Sequence, residues 1–342
     1  MSQSLAVGDP VARPAAAHEL VAALDPRRAL QLALGALWLL DGMLQFQPSM
    51  FGRGFPQMLA GSAQGNPAVV ARPITWSADL IGHHVVALNA VFAAIQLLLG
   101  LGIAWRPAVK LALAGSVAWS LAVWWLGEGL GGVLAGTASP LNGAPGPVLL
   151  YALLAVLLWP ADRHPAARAP NLGDPTVRAP TVRAATVRAA TVRAPAAPST
   201  AARAVGRRVA QACWLVVWLG LAALALLPAS RAVGRTIADT TPGEPAWLAW
   251  TDAHAASALT RHGLLAAVVL AVVLVIVASG PFLPRRAARA VIVLAVALAA
   301  ALWLAQGLGG ILTGSATDPD TGPLLALLAL AFWPLASSAG ET

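Results

Sequence analysis

The 342-residue chain is poor in charge: Asp, Glu, Lys and Arg make up only 11% of it. A soluble domain of this length needs about 25% charged residues to coat its surface, so a soluble globular protein is excluded. Cysteine is nearly absent. The single Cys213 rules out an internal disulfide and a CxxC redox pair, and its place in an apolar run reads as a packed thiol. Short alternating strands are missing, which excludes a membrane barrel. There is no HxxxH or HxH spacing to mark a metal site, and no Lys-Ser/Thr follows the glycine-rich segments, which excludes a P-loop. A cleavable signal peptide is not expected either, because LVAAL at 20–24 is too short and runs into Asp25-Pro26.

Apolar residues are abundant at 58%. They fall in eight runs, at 29–47, 84–105, 107–126, 145–160, 211–229, 263–283, 288–305 and 322–337, flanked by Arg or Trp as membrane helices are. The expected fold is an all-α integral membrane protein. Its eight transmembrane helices form two parallel four-helix repeats, 29–162 and 209–337, joined by a disordered linker at 163–208. Residues 1–28 and 338–342 are expected to be cytoplasmic tails. With the N-terminus inside, inner segments hold 17 of the 22 Lys and Arg residues. Retained basic residues set topology, so both termini are expected in the cytoplasm and the chain in the plasma membrane. The net charge of +8 then reflects insertion and contact with anionic headgroups, not nucleic acid. The linker, with four TVRA-(P/A) copies between Thr176 and Pro195, has too few large apolar groups to repay ordering. It is expected to lie as a basic tether on anionic lipid headgroups.

The repeat is visible directly. Residues 124–136 (WWLGEGLGGVLAG) recur at 302–314 (LWLAQGLGGILTG), an offset of 178 that also pairs Gly65, Pro67 and Ala68 with Gly243, Pro245 and Ala246, and His84 with His262. Trp159-Pro160 matches Trp333-Pro334 after short gaps. Gly127, Gly129 and Gly132 satisfy GxGxxG in form, yet they follow a transmembrane run, and the second copy has Ala305 at the first position. A dinucleotide fingerprint needs a strand before it, so that reading fails. Gly129 and Gly131 instead belong to a segment that turns sharply and leads into a short fourth span near Pro147. From Pro147 to Pro160 a helix covers about 20 Å, less than the roughly 30 Å hydrocarbon core, so the preceding segment is expected to dip into the membrane. Interrupted segments at matching places in two halves point to a binding site, or to tight packing through small residues.

Polar residues near the outer leaflet narrow the search. Asp41 lies well inside the first run and Gln45 one turn later; ionisable residues there are costly and usually functional. At the 178 offset Asp41 becomes Leu219 and Glu128 becomes Gln306, so the first half is expected to carry the site and the second to act as scaffold. His83 and His84 begin the second span, His262 begins the sixth and His254 lies in the outer loop before it; with Asp41 and Glu128 they read either as a proton-transfer site or as interfacial residues only, and metal binding is not expected. Asn89 and Gln96 form a polar stripe read as interhelical glue. Trp76, Trp124, Trp125, Trp159, Trp247, Trp250 and Trp333 read as interfacial anchors, with Trp76 and Trp250 on short outer helices. The candidate ligand-binding residues are thus Asp41, Gln45, His84, Glu128, Gly129, Gly131, His262 and Gln306.

LWLLDGMLQFQ (37–47) and NAVFAAIQLLLGLGIAWRPAVKLALAGSVAW (89–119) make the first half resemble the DoxX/DoxD-like four-span membrane proteins. The likeness rests on an early polar residue in the first span, a second span ending in a glycine-rich stretch, and an Arg-containing turn before the third. It covers about 100 residues. It implies a quinone or small-molecule pocket near Asp41 and an association with quinone-coupled sulfur or thiol redox chemistry. The chain departs from that pattern in its duplication, its GEGLGG segment and its lack of thiols, so no catalytic activity of its own is expected. The Ala/Arg/Gly-rich composition also resembles that of actinobacterial membrane proteins. Three functions remain open at this point: a quinone-associated subunit with a membrane or peripheral protein partner, a small-solute or ion transporter, and a non-catalytic assembly scaffold.

Overall fold

The computed structural model describes residues 25–160, 199–240, 242–314 and 316–335. Among these the secondary structure is helical throughout, with no strand. The α-helices are α1 (Pro26–Leu44), α2 (Gly54–Ser62), α3 (Ala68–His83), α4 (Val85–Ala104), α5 (Val109–Leu126) and α6 (Pro147–Leu157), then α7 (Thr200–Val205), α8 (Arg207–Ala225), α9 (Val233–Thr240), α10 (Ala246–Thr260), α11 (Gly263–Ala278), α12 (Arg285–Ala305) and α13 (Thr321–Ala331). Five segments are long and apolar enough to cross a membrane: Val85–Ala104, Arg106–Leu126, Arg207–Ala225, Gly263–Phe282 and Arg285–Ala305. The first expected span, α1, is long enough at 19 residues but is not among those five. The two short apolar helices, α6 and α13, have 11 residues each.

These short helices sit at the centre of the molecule. They pack against each other, and α13 also packs on α1. Val148, Leu150, Tyr151, Leu154 and Leu157 of α6 are buried, as are Leu324, Leu325, Leu327 and Leu328 of α13. A helix that is apolar all round belongs inside a core. The long helices behave oppositely: they keep between 22% and 33% of their apolar windows inside the protein, and Leu98, Leu111, Val216 and Leu265 stand exposed where lipid would cover them. An 11-residue helix is about 16 Å long and cannot cross a bilayer alone. The irregular backbone before α6 packs through Gly129 on Ser62 and through Gly131 on Pro145, while Val133 and Leu134 stand exposed.

Local sequence explains the tight contacts. Gly35 and Gly42, two turns apart on α1, face α4: a Cβ on Gly100 would lie 2.7 Å from the Gly35 carbonyl oxygen, and one on Gly42 2.7 Å from Leu97 Cγ. Small residues let the two backbones meet. Trp38 then donates from Nε1 to Ser116 Oγ at 2.9 Å and stacks on Tyr151 with ring centroids 4.1 Å apart, tying α1 to α5 and α6. One apolar core runs from Leu34, Trp38 and Tyr151 through Leu324 and Leu328 to Trp214 and Trp218. These tryptophans are fully buried, whereas Trp76, Trp125, Trp247 and Trp250 are exposed, as interfacial anchors on α3, α5 and α10 would be.

Two expectations need correction or restriction. The linker was expected to be disordered over 163–208, yet α7 spans Thr200–Val205 and α8 begins at Arg207; Ser199 starts this helix by accepting the Ala202 N–H on its side chain at 3.2 Å. The TVRA copies, the first 24 residues and the 338–342 tail lie outside the described residues.

Candidate functional site

The glycine-rich segments adopt one turn of left-handed backbone. Gly129, Leu130, Gly131 and Gly132 have φ of 57°, 57°, 63° and 69°; Gly307, Leu308, Gly309 and Gly310 have 61°, 55°, 66° and 71°. A left-handed L-residue costs roughly 1–2 kcal/mol, which is why three of four positions are glycine in each copy. The turn folds the chain back against the end of α2 and the start of α6. A Cβ on Gly129 would lie 2.3 Å from Ser62 O, and one on Gly131 would lie 2.1 Å from Pro145 O.

The turn places Glu128 at the N-terminus of α6, where Oε1 accepts the Val148 N–H at 3.3 Å. Its Oε2 is buried with no partner. Gly146, at φ 109°, supplies the space: a Cβ there would lie 2.0 Å from Oε2. A carboxylate at a helix N-terminus is favoured by the exposed N–H groups and the dipole. In the second copy the acid has changed place. Gln306 donates to Thr321 Oγ1 at 3.3 Å and to Pro140 O at 2.9 Å, and Asp320, at the cap of α13, accepts the Thr321 N–H. Both short helices thus keep an acid at their start, from different sequence positions.

Beside Glu128 lies a cavity of about 350 Å³. Phe55, Leu59, Phe92 and Trp119 form its walls, with α2 and α3 closing one side. Asp41, Glu128 and Asp318 all line it. Asp41 is 1% exposed, and Oδ1 accepts the Tyr151 hydroxyl at 2.9 Å. Asp318 comes from the other half of the chain; its carboxylate accepts the Asp320 N–H at 2.7 Å and the Thr317 hydroxyl at 2.9 Å. The loop carrying it is held by the first half, where Gln45 Nε2 donates to Thr317 O at 3.4 Å and Gln47 Nε2 to Ala316 O at 3.0 Å. Gln96 Oε1 and Trp119 Nε1 point into the site region buried and unpartnered. A second cavity of about 370 Å³, lined by glycines, Asn66 and Asn142, shares Ser62 and Glu128 with the first.

Of the sequence candidates, Asp41, Gln45 and Glu128 line the main cavity, Gly131 lines the adjoining one, and Gly129 shapes the wall at Ser62. Gln306 is buried outside the main cavity. His84 and His262 are exposed and line neither cavity; they start α4 and α11 with matching backbones (φ −134°, ψ 35° and φ −128°, ψ 27°). His83 and His254 bond through Nδ1 to the carbonyls of Asp79 and Trp250, each at 2.7 Å. Asn89 donates to Gln45 O at 2.8 Å and joins α4 to the end of α1, whereas Gln96, read with it as interhelical glue, faces the cavity. Among the described residues no cluster of three His, Cys, Asp or Glu side chains suited to a metal ion occurs.

Sequence reasoning did not select Tyr151, Asp318, Phe92 or Trp119. Tyr151 carried a signal, as the only tyrosine of the chain inside a short apolar run. The Asp318-Pro319-Asp320 run directly after the second glycine segment was another. No protein-family model, curated protein or solved structure matches this chain.

Proposed function

We propose that this is a multi-pass plasma-membrane protein of the DoxX-like type whose outer-leaflet cavity holds the head of a quinol or a similar aromatic amphiphile bearing hydrogen-bond donors. One observation carries this reading: three carboxylates, from α1, the glycine turn and the opposite half, converge on a cavity walled by aromatic rings. A ligand pocket of this kind is largely apolar with a few convergent polar groups. Each carboxyl group offers acceptor oxygens to the cavity, so a ligand bearing hydroxyl donors suits it. Two hydroxyls on a ring lying against the Phe92–Trp119 pair would supply them. The chain contributes binding and orientation; oxidation of the ligand would fall to a partner protein.

The same proposal includes eight spans in two parallel repeats with both termini inside. It is supported by the helix lengths, which run 19, 9, 16, 20, 18 and 11 residues from α1 to α6 and 19, 8, 15, 16, 21 and 11 from α8 to α13. Burial also refines the register. Trp38 and Trp218 are both fully buried, so an offset of 180 fits α1 and α8, and Asp41 pairs with Leu221 and not with Leu219. At the 178 offset, Asn89 and Gln96 pair with Ala267 and Leu274. The second half therefore has an apolar counterpart of the site, and it completes the first site through Asp318.

Native mass spectrometry of gently extracted protein tests the binding. A retained mass of a quinone or quinol in the wild type, lost in Asp41→Asn with unfolding temperature unchanged, is the expected result. A bare wild-type chain that also fails to take up a short-tailed benzohydroquinone would refute it.

A further inference from the structure

At the opposite end of the helices from the carboxylate cavity the two halves differ in a way that exposes a second site. In the first half, Arg28 Nη1 donates to Ile103 O at 2.8 Å, its Nη2 reaches Ala104 O, and Gln31 Nε2 donates to Leu158 O at 2.8 Å. The arginine therefore caps the last carbonyls of α4, and Gln31 ties α1 to the end of α6. In the second half Gln211 still reaches across, donating to Pro281 O at 3.4 Å, but Arg208, which pairs with Arg28 at the 180 offset, stands exposed, and the nearby arginines are Arg207, also exposed, and Arg285, which donates to Leu335 O at 3.2 Å. Between them is a cavity of about 120 Å³.

Its chemistry is that of an anion site with an apolar floor. Arg207, from the start of α8, and Arg285, from the start of α12, line the rim, and Arg285 Nε is buried with no partner. No acidic residue is among those lining the cavity. The floor is Trp214, Ile292 and Phe332, with the Trp214 and Phe332 rings 4.6 Å apart. Trp214 Nε1 is already satisfied by Val277 O at 3.0 Å, so the floor offers only apolar surface.

We propose that this cavity binds a phosphate-bearing anion, the headgroup phosphate of an anionic phospholipid or the free ion. Guanidinium groups match phosphate geometry in a way that ammonium groups do not, and basic pockets between membrane helices take anionic headgroups. The apolar floor beside the rim fits the glycerol and first chain carbons of a lipid. The site rests on the chain's being embedded in a membrane, and it shares no residue with the carboxylate cavity, so either can fail without the other.

The test uses the full chain in mixed micelles of phosphatidylglycerol and phosphatidylcholine, with retained lipid read by native mass spectrometry. Arg207→Gln/Arg285→Gln is compared with Arg208→Gln/Arg286→Gln, which removes the same charge from neighbouring exposed positions outside the cavity. Each basic residue near an anionic headgroup contributes roughly fivefold, so the lining pair should weaken phosphatidylglycerol retention about thirtyfold while the control pair changes it little. Unfolding temperatures establish that both variants are folded. Equal losses in the two pairs, or no loss in either, would overturn the site. Retention of added inorganic phosphate without phosphatidylglycerol, abolished by the lining pair alone, would uphold the site and assign it to the free ion.

Discussion

At the residue scale, the carboxylates divide according to their partners. Asp41 is held by the Tyr151 hydroxyl, and the loss of one partner of a buried bond costs about 1–3 kcal/mol. Tyr151→Phe should therefore destabilise the protein by that amount and weaken ligand retention, whereas Asp41→Asn, which keeps an acceptor for Tyr151, should cost retention far more than stability; thermal unfolding alongside native mass spectrometry separates the two. A different pair lies outside the candidate spans. Glu244, just before α10, lies near the buried Asp252, and desolvation, followed by the Asp252 charge, raises its pKa from 4.5 to about 7. The folded protein thus holds a proton that the unfolded chain releases at lower pH. Its contribution is fully present below about pH 4.5 and is lost as pH rises through about 7. The unfolding temperature should fall across that window, and Glu244→Gln should flatten the slope; an unchanged slope in the variant would remove this pair as its source. Asp41 and Glu128 were legible in the sequence because acids in apolar surroundings are costly. The histidines at helix starts have matching positions for a simpler reason, since both occupy the same turn before α4 and α11.

At the element scale, the left-handed turn is the device that brings Glu128 to α6. Gly131 and Gly136 both have positive φ, at 63° and 72°, but a Cβ on Gly131 would lie 2.1 Å from Pro145 O, while one on Gly136 would meet nothing within 4 Å. Gly136→Ala should cost only the backbone strain, about 1 kcal/mol. Gly131→Ala should cost at least about 2 kcal/mol and displace Glu128, which thermal unfolding and ligand retention would register together. The duplicated GLGG string announced a special backbone, and the short fourth helix announced an interruption. Its handedness and its contact with Ser62 and Pro145 were not legible, because φ of a glycine is unrestricted by its own chemistry and is set by what it packs against.

At the scale of the whole molecule, each half holds the loop of the other. Gln47 and Ser49 bond to Ala316 and Gly314, while Gln306 bonds to Pro140 and Ser230 to Ser139 at 2.8 Å. With α6 against α13 in one shared core, covalent continuity through 161–198 is not required for pairing. Segments 1–160 and 199–342, expressed together as separate chains, should copurify and retain ligand. The first segment alone, lacking Asp318 and the packing of α13, should do neither.

The sequence by itself determined the membrane-helix composition, the duplicated interrupted segments, and the polar residues Asp41, Gln45 and Glu128, because each is a local chemical cost or a local geometric requirement. Only the tertiary structure decided that Asp318, 277 positions after Asp41 along the chain, joins the same cavity, that Gln96 and Trp119 face it, and that the two short helices lie at the centre. Those relations depend on which surfaces of the two halves meet. Apolar Ala/Leu helices do not encode that choice one by one; the close approaches at Gly35, Gly42 and Gly100 and the crossed loop hydrogen bonds fix it only when the whole chain is packed.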